Sequence, residues 1–360
     1  MAKKIRALGV VLPQFHPIPE NDLWWGKGFT EWTNVVKAKP RFRGHYQPHL
    51  PADLGFYDLR LEDSRVAQAE LAKAYDIYGF CYYHYWFSGK RLLERPVNEI
   101  VASGKPDFPF CLCWANEPWS RNWDGQNNNV IQPQEYSNDD HYKHIAYLLG
   151  IFKDQRYIKV DGKPVFIVYR INIIPDVSEM VRIWNEEAKK NGFENGLYLI
   201  ATNSHSFYDN PAEFGFNASW DFLPEVFSTK SPKRIFNQYN RLLRLLGLKD
   251  RLNLYENIVN EAISKLQNKK DWKVFSGVCP GWDNSPRRKS DAFILHNSSP
   301  KIYEKYLSTV CDNFTPFSDE ENFIFLNAMN EWAEGNHLEP DMKWGLKYLE
   351  ATKSVLEKYK

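Results

Sequence analysis

The run NFIFLNAMNEW (322–332) begins as a strand and ends as something else. Phe323, Ile324, Phe325 and Leu326 form the short apolar run expected of a strand buried on both faces. The residues after them turn polar at once. With AEGNHLEPD (333–341), the acidic side chains of Glu331, Glu334, Glu339 and Asp341 crowd around a tryptophan, a histidine and a glycine. Two explanations compete: a solvated strand end, or carboxylates that work on a substrate.

Counting backwards from this run decides the fold class. Earlier β-branched or aromatic runs are VFSGVCPGW (274–282), FNASWDF (216–222), LYLIAT (197–202), PVFIVY (164–169), PFCLCWANE (109–117), FCYYHYWF (80–87) and IRALGVVLPQFH (5–16). Amphipathic stretches separate them. EDSRVAQAELAKAYDIYG is a helix with Asp63 or Ser64 available as its cap, and LLERPVNEIVASG carries a proline in its first turns. SNDDHYKHIAYLLGIFKD opens on a cap-like Ser137, and Gly192 is placed to end VSEMVRIWNEEAKKNG. Helices follow the seventh and eighth runs as well. Eight strands, each followed by helical sequence, predict an α/β fold: a single (β/α)8 TIM barrel over residues 1–360. Residues 13–61 form a long first βα loop, and 230–270 a helical insertion of two helices. No GxGxxG follows the first strand, which disfavours a nucleotide-binding doubly wound sheet.

The formal net charge of +1 gives no electrostatic footprint for nucleic acid. The opening MAKKIRALGVVLPQFH has too short an apolar run for a signal peptide or a membrane span, so a cytoplasmic location is expected. Of the five cysteines, Cys81, Cys111, Cys113 and Cys279 lie inside apolar runs and are expected as buried thiols. No His/Asp/Glu set has metal-ligand spacing, so neither a metal nor a cofactor is expected. Oligomeric state is left open.

Barrels place their chemistry where strands run out into the loops that follow. The eight exits offer Gln14 and His16; Tyr83, His84, Tyr85 and Trp86; Trp114, Asn116, Glu117 and Trp119; Tyr169 and Arg170; Asn203 and His205; Trp220 and Asp221; Trp282 and Asp283; Asn330, Glu331, Trp332 and Glu334. The opposite ends, such as IYG, GKP and ENG, are plain. Aromatic content is high at 16%, and this is where much of it gathers. Sugar C–H faces stack on tryptophan and tyrosine, while amides and carboxylates bind hydroxyls. Trp32, Tyr85, Trp86, Trp114, Trp119 and Trp282 are the candidate stacking surfaces. His16, His84, Asn116, Tyr169, Asp283, Asn330 and Trp332 complete the candidate substrate-binding set. Glycosidic cleavage needs two carboxyl groups. Glu331 and Glu334, three apart, are the candidate catalytic pair; the NEP at 116–118 resembles the acid/base motif of a larger clan of retaining barrel glycosidases, which implies Glu117 as a rival acid.

At these residues the sequence resembles a known family. LPQFHPIPENDLWWGKGFTEWTNV, GHYQPHLPADLGFYDLR, GFCYYHYWFSGKRLLERP, FPFCLCWANEPWSRNWDG, GWDNSPRR and NEWAEGNHLEPD are together similar to the WbsX family, labelled as glycosyltransferases of polysaccharide and lipopolysaccharide biosynthesis. That family in turn resembles glycoside hydrolase family 99, (β/α)8 retaining endo-glycosidases acting on α-mannosides. There a Glu-Trp-His-Glu motif follows the last strand; here Ala333 stands where that motif has histidine. The resemblance implies that Glu331 deprotonates the substrate's own 2-hydroxyl and that Glu334 protonates the leaving group. It implies an oligosaccharide or polysaccharide substrate, with glycosyl transfer in lipopolysaccharide or capsule biosynthesis as the alternative activity. A glycan-binding protein without catalysis is a further alternative.

Overall fold

All eight apolar runs form parallel strands, and the ring closes. The computed structural model describes residues 3–120, 130–204, 207–224, 245, 250–268 and 270–360. Its barrel strands are β1 (Arg6–Val11), β2 (Gly79–Phe87), β3 (Phe110–Trp114), β4 (Lys163–Val168), β5 (Tyr198–Asn203), β6 (Ala218–Asp221), β7 (Val274–Val278) and β8 (Phe323–Leu326). Each pairs with the next in chain order, and β8 closes on β1 with Arg6 opposite Phe323 and Gly9 opposite Leu326. This is the expected (β/α)8 barrel.

Buried apolar residues fill these strands because both faces of a barrel wall are covered, by the lumen inside and by helices outside. On β2, His84 and Trp86 turn outward to the helix Asn138–Phe152. There His84 meets His144 and the Trp86 indole donates to Asp140 at 2.9 Å. Trp184 of the helix Val177–Lys190 packs on Trp114 and Phe166 in the same layer. By strand alternation, Tyr83 and Tyr85 point to the other face, the lumen.

Several strands end sooner than their apolar runs. β8 stops at Leu326, yet its exit stays tied to both neighbours: Asn327 N–H donates to Val278 O at 2.9 Å and Met329 N–H to Val10 O at 2.8 Å. The chain then forms a small antiparallel ladder, Asn330–Glu331 against Asn336–His337. Gly335 turns the corner at φ +56°, and a Cβ there would lie 2.9 Å from Asp283 Cβ, so both conformation and space call for glycine. The helix Glu62–Ala74 departs from expectation at its start. Neither Asp63 nor Ser64 caps it; Leu61 holds that position, and Glu62 and Asp63 sit in the first turn, where their charge favours the helix N-terminus.

The long first loop is itself structured, with short helices Pro19–Trp25 and Glu31–Lys37, the second opened by a Thr30/Thr33 capping box. It straps across the exits of β7 and β8. Arg41 binds Asp250 at 2.6 Å and Ser285 O at 2.8 Å, and Ala52 N–H donates to Pro340 O. Within the helical insertion, the described residues include a helix, Tyr255–Lys265, and a strand, Arg251–Leu254, pairing in parallel with Phe293–His296. The rest of the insertion, His205, and residues 121–129 of the third exit lie outside the described residues. The five cysteines are buried free thiols. Among the described residues, no helix is long and apolar enough to cross a membrane.

Candidate active site

Glu331 and Glu334 converge on one guanidinium. Arg287 donates from Nη2 to Glu331 at 2.9 Å and from Nη1 to Glu334 at 2.6 Å. Its Nε donates to a third carboxylate, Glu31, at 2.6 Å. The four side chains are largely enclosed, with exposures of 13% for Arg287, 0% for Glu31, 7% for Glu331 and 17% for Glu334. Three elements bring them together: the first turn of the helix Glu31–Lys37, a short 3-10 turn Ser285–Arg287 after β7, and the hairpin after β8. Three acids against one cation leave excess negative charge in a dry setting, and protonation relieves it. Burial pushes Glu331 up to about 8 despite the Arg287 charge, with Glu334 and Glu31 adding to the rise. Burial likewise raises Glu334, opposed by Arg287. Burial, then the nearby Glu331 charge, holds the Tyr83 phenol neutral and contributes to the same effect at Tyr85.

The other two acids of the motif have structural duties. Glu339 accepts from Tyr57 Oη at 2.8 Å, Gln68 Nε2 at 2.6 Å and Trp332 Nε1 at 2.8 Å. Asp341 caps a turn, accepting from Lys343 N and Trp344 N at 3.0 and 2.6 Å. Asn330 acts similarly: its side-chain amide clasps both Leu12 N–H (2.7 Å) and Leu12 O (3.0 Å), pinning the β8 exit to the β1 exit.

The remaining candidates divide by face. Tyr85 and the half-buried Trp119 meet edge-to-face at 5.2 Å, and Trp24 of the first loop packs on Trp119 at 5.8 Å. Trp282 and Tyr169 are half-buried at their exits. His84, Trp86 and Trp114 lie in the helix-facing layer instead, and Trp114 has no exposed surface. Trp32 is buried among Phe15, Tyr57 and Trp332, donating to Tyr57 O at 2.9 Å. Trp332 stacks on His337 at 3.8 Å. Asn116 is buried and binds Arg170 N and O, joining the third and fourth exits. Asp283 accepts from His45, Gln47 and Ser285 N; burial pushes its carboxyl up, but the His45 and Gln47 bonds outweigh it and hold the carboxyl below its usual range. His16 is buried with Nδ1 on Pro13 O, and burial lowers it to about 4. Glu117 pairs with Arg170 at 2.7 Å and is 35% exposed.

Arg287 and Glu31 escaped the sequence-based candidate set. Their partners are 44 to 256 residues distant along the chain. Distance in sequence likewise hid a His/Asp group: His49, from the first loop, comes together with His337 and Asp341.

The family description "Glycosyltransferase WbsX" matches residues 7–352. The chain belongs to the WbsX family. A relative from Xanthomonas campestris pv. campestris, the uncharacterized protein WxcX, is 40% identical over 346 residues, covering 96% of this chain and 48% of its own length. Its counterpart in a second strain is 39% identical over 348 residues. The chain thus spans about half the length of the curated relatives it matches. Among solved structures, the GH99 endo-alpha-mannosidase from Bacteroides thetaiotaomicron aligns with a TM-score of 0.60 at 13% identity, over 98% of this chain and 97% of that one. GH5_18 from Streptomyces cattleya aligns at 0.51 and 10% identity, over 100% and 81%. Identities this low establish a shared barrel. The WbsX description itself places the family among carbohydrate-active enzymes.

Proposed function

We propose that this WbsX-family chain is a retaining, endo-acting glycosidase on a surface polysaccharide or an α-mannoside-like glycan. The observation that carries the proposal is the Glu331/Glu334 pair on adjacent nitrogens of one buried guanidinium, both carboxyls raised. Groups of matched chemistry held at raised, coupled pKa values are what proton transfer at neutral pH requires.

In this mechanism Glu331 takes the proton of the sugar 2-hydroxyl as that oxygen bonds to C1. The bond from C1 to the leaving oxygen breaks, and Glu334 supplies the proton that oxygen needs. Glu334, now a carboxylate, then takes a proton from water as water attacks C1; the C1–O2 bond breaks, and Glu331 returns its proton to O2. The two carboxyls titrate as a pair, so the substrate decides where the resting proton sits. A 2-hydroxyl donating to Glu331 favours its ionised form, and a glycosidic oxygen accepting from Glu334 favours its acid form. Arg287, touching both, keeps the pair from gaining a second proton. Tyr85 and Trp119 are the aromatic surfaces best placed to line the mouth.

The family description favours a second reaction, glycosyl transfer from an activated donor. Mass spectrometry separates the two: incubate the protein with α-mannan oligosaccharides and with the source's surface polysaccharide, with and without nucleotide sugars. Shortened products that vanish in Glu331→Gln and Glu334→Gln support hydrolysis. Chains that lengthen only when a nucleotide sugar is present refute it.

A further inference from the structure

Beyond Gly335, on the far side of the turn that carries Glu334, a recess opens between the first loop and the segment after β8. Tyr46, His49, Trp282, His337, Asp341 and Trp344 are among its walls. The proposed hydrolysis uses none of the histidines here.

The hydrogen bonds define the tautomer of His337. Its Nδ1 lies 2.9 Å from Glu339 O, which can only accept, so Nδ1 carries the hydrogen. In a neutral ring Nε2 is then a bare lone pair. His49 Nδ1 lies 2.9 Å from that Nε2, and Asp341 Oδ2 lies 4.0 Å from it. Asp341 Oδ1 accepts from the Lys343 and Trp344 N–H groups, and the Tyr46 hydroxyl also bonds this carboxylate, whose Oδ2 lies toward the imidazoles. One donor atom from each of the three residues lies within 4.8 Å of the others. Trp332 stacked on His337 and Tyr46 stacked on His49 at 4.2 Å hold both ring planes.

We infer that His49, His337 and Asp341 form a binding site for a divalent transition-metal ion, with its open coordination positions facing the recess. Two imidazoles and one carboxylate are a donor set suited to zinc and its neighbours. An imidazole whose second nitrogen donates to a backbone carbonyl is the usual support of a metal-ligating histidine. Binding moves the His49 proton from Nδ1 to Nε2, with no net proton released by either ring. Metal–nitrogen bonds of about 2.0–2.1 Å call for the two nitrogens to spread by only a few tenths of an ångström from their present contact. The ion would tie the first loop to the segment after β8. Lys343, whose ammonium lies 4.4 Å from the Tyr46 ring centroid, opposes the ion's charge, so Lys343→Met is expected to tighten binding.

The test is calorimetric titration and thermal unfolding of untagged, chelator-stripped protein with Zn2+, Mn2+ and Ni2+. One equivalent of at least one ion should bind and raise the melting temperature. His49→Ala and Asp341→Asn should weaken that binding at least tenfold, while His296→Ala, on the recess wall but outside the donor set, should retain it. Should His49→Ala not fold, His49→Gln keeps an amide donor for His337 and lacks the imidazole, and it is expected to lose the ion equally. No stoichiometric binding, or unchanged binding in the His49 and Asp341 variants, overturns the site and leaves the two rings as a plain hydrogen-bonded pair. Turnover plays no part in these readouts, so the site stands or falls apart from the proposed hydrolysis.

Discussion

Replacing Arg287 by methionine strips the guanidinium that bonds Glu31, Glu331 and Glu334 while preserving much of its stem. The magnitude follows from the cost of neutralising what remains. A carboxyl forced to carry a proton in the folded state costs about 1.36 kcal/mol for each pH unit above its ordinary value, hence about 3.7 kcal/mol at pH 7 and about 1.6 at pH 5.5. With Glu331 at about 8, the acidic pair already shares a proton at neutral pH, so the carboxylate that Arg287 keeps ionised within that pair is the one newly penalised. Local relaxation and water entry reduce the ceiling, and breaking a buried ion pair by removing one partner typically costs ~3–5 kcal/mol. We expect a loss of ~3–5 kcal/mol at pH 7. The direction with pH follows from linkage. Without the cation the values of Glu331 and Glu334 rise further above the unfolded ones, so the folded variant binds more protons and gains stability as pH falls. The deficit should therefore shrink by more than half between pH 7 and pH 5.5. Urea unfolding followed by circular dichroism at both pH values measures it. A deficit below about 1 kcal/mol at pH 7, or one independent of pH, would refute the reasoning.

Other outcomes follow from the same geometry. Glu331→Gln and Glu334→Gln should each lower turnover by roughly 10²–10⁴ while altering glycan affinity little, as isothermal titration alongside product analysis would reveal. The rate against pH should fall on the alkaline side near 8, where the pair loses its shared proton; a rate still rising at pH 9 would exclude the pair as acid and base. Asn330→Ala leaves the buried Leu12 N–H and C=O without their clasp, and should cost about 2–5 kcal/mol in urea unfolding. Glu117→Gln, at a partly exposed ion pair, should change stability by less than about 1 kcal/mol.

The barrel was legible because each wall strand is apolar on both faces, and runs such as Val165–Val168 and Phe323–Leu326 have no other economical placement. The acidic pair was legible too, since Glu331 and Glu334 follow the eighth run directly. Which face each exit residue takes was harder. Exit position alone grouped Tyr85 with His84 and Trp86, whereas strand alternation separates them: one looks inward at Glu331, two look outward at the helix Asn138–Phe152. Applying that parity along FCYYHYWF would have sorted them. Arg287 bears no local mark in NSPRRKS. The clue was indirect, in that several acids at one dry mouth require a cation, and RR lies just beyond the seventh exit. Glu31 and His49 depend on how a long loop folds back, and no periodicity encodes that. Asn116 and Trp32 have the chemistry of ligand contacts, yet their polar atoms are spent on the backbones of Arg170 and Tyr57.

The closing seam between β1 and β8 has a bearing on when a newly made chain becomes competent. Asn330 grips Leu12 across that seam, and the acidic pair hangs from the segment immediately beyond it. A nascent polypeptide emerging from the ribosome carries Glu31 and Arg287 long before Glu331 and Glu334. The first seven strands can therefore associate with no working centre among them, and competence arrives in one step, with the final strand. A chain halted before the eighth strand lacks both acids of the proposed centre, however much of the barrel precedes it.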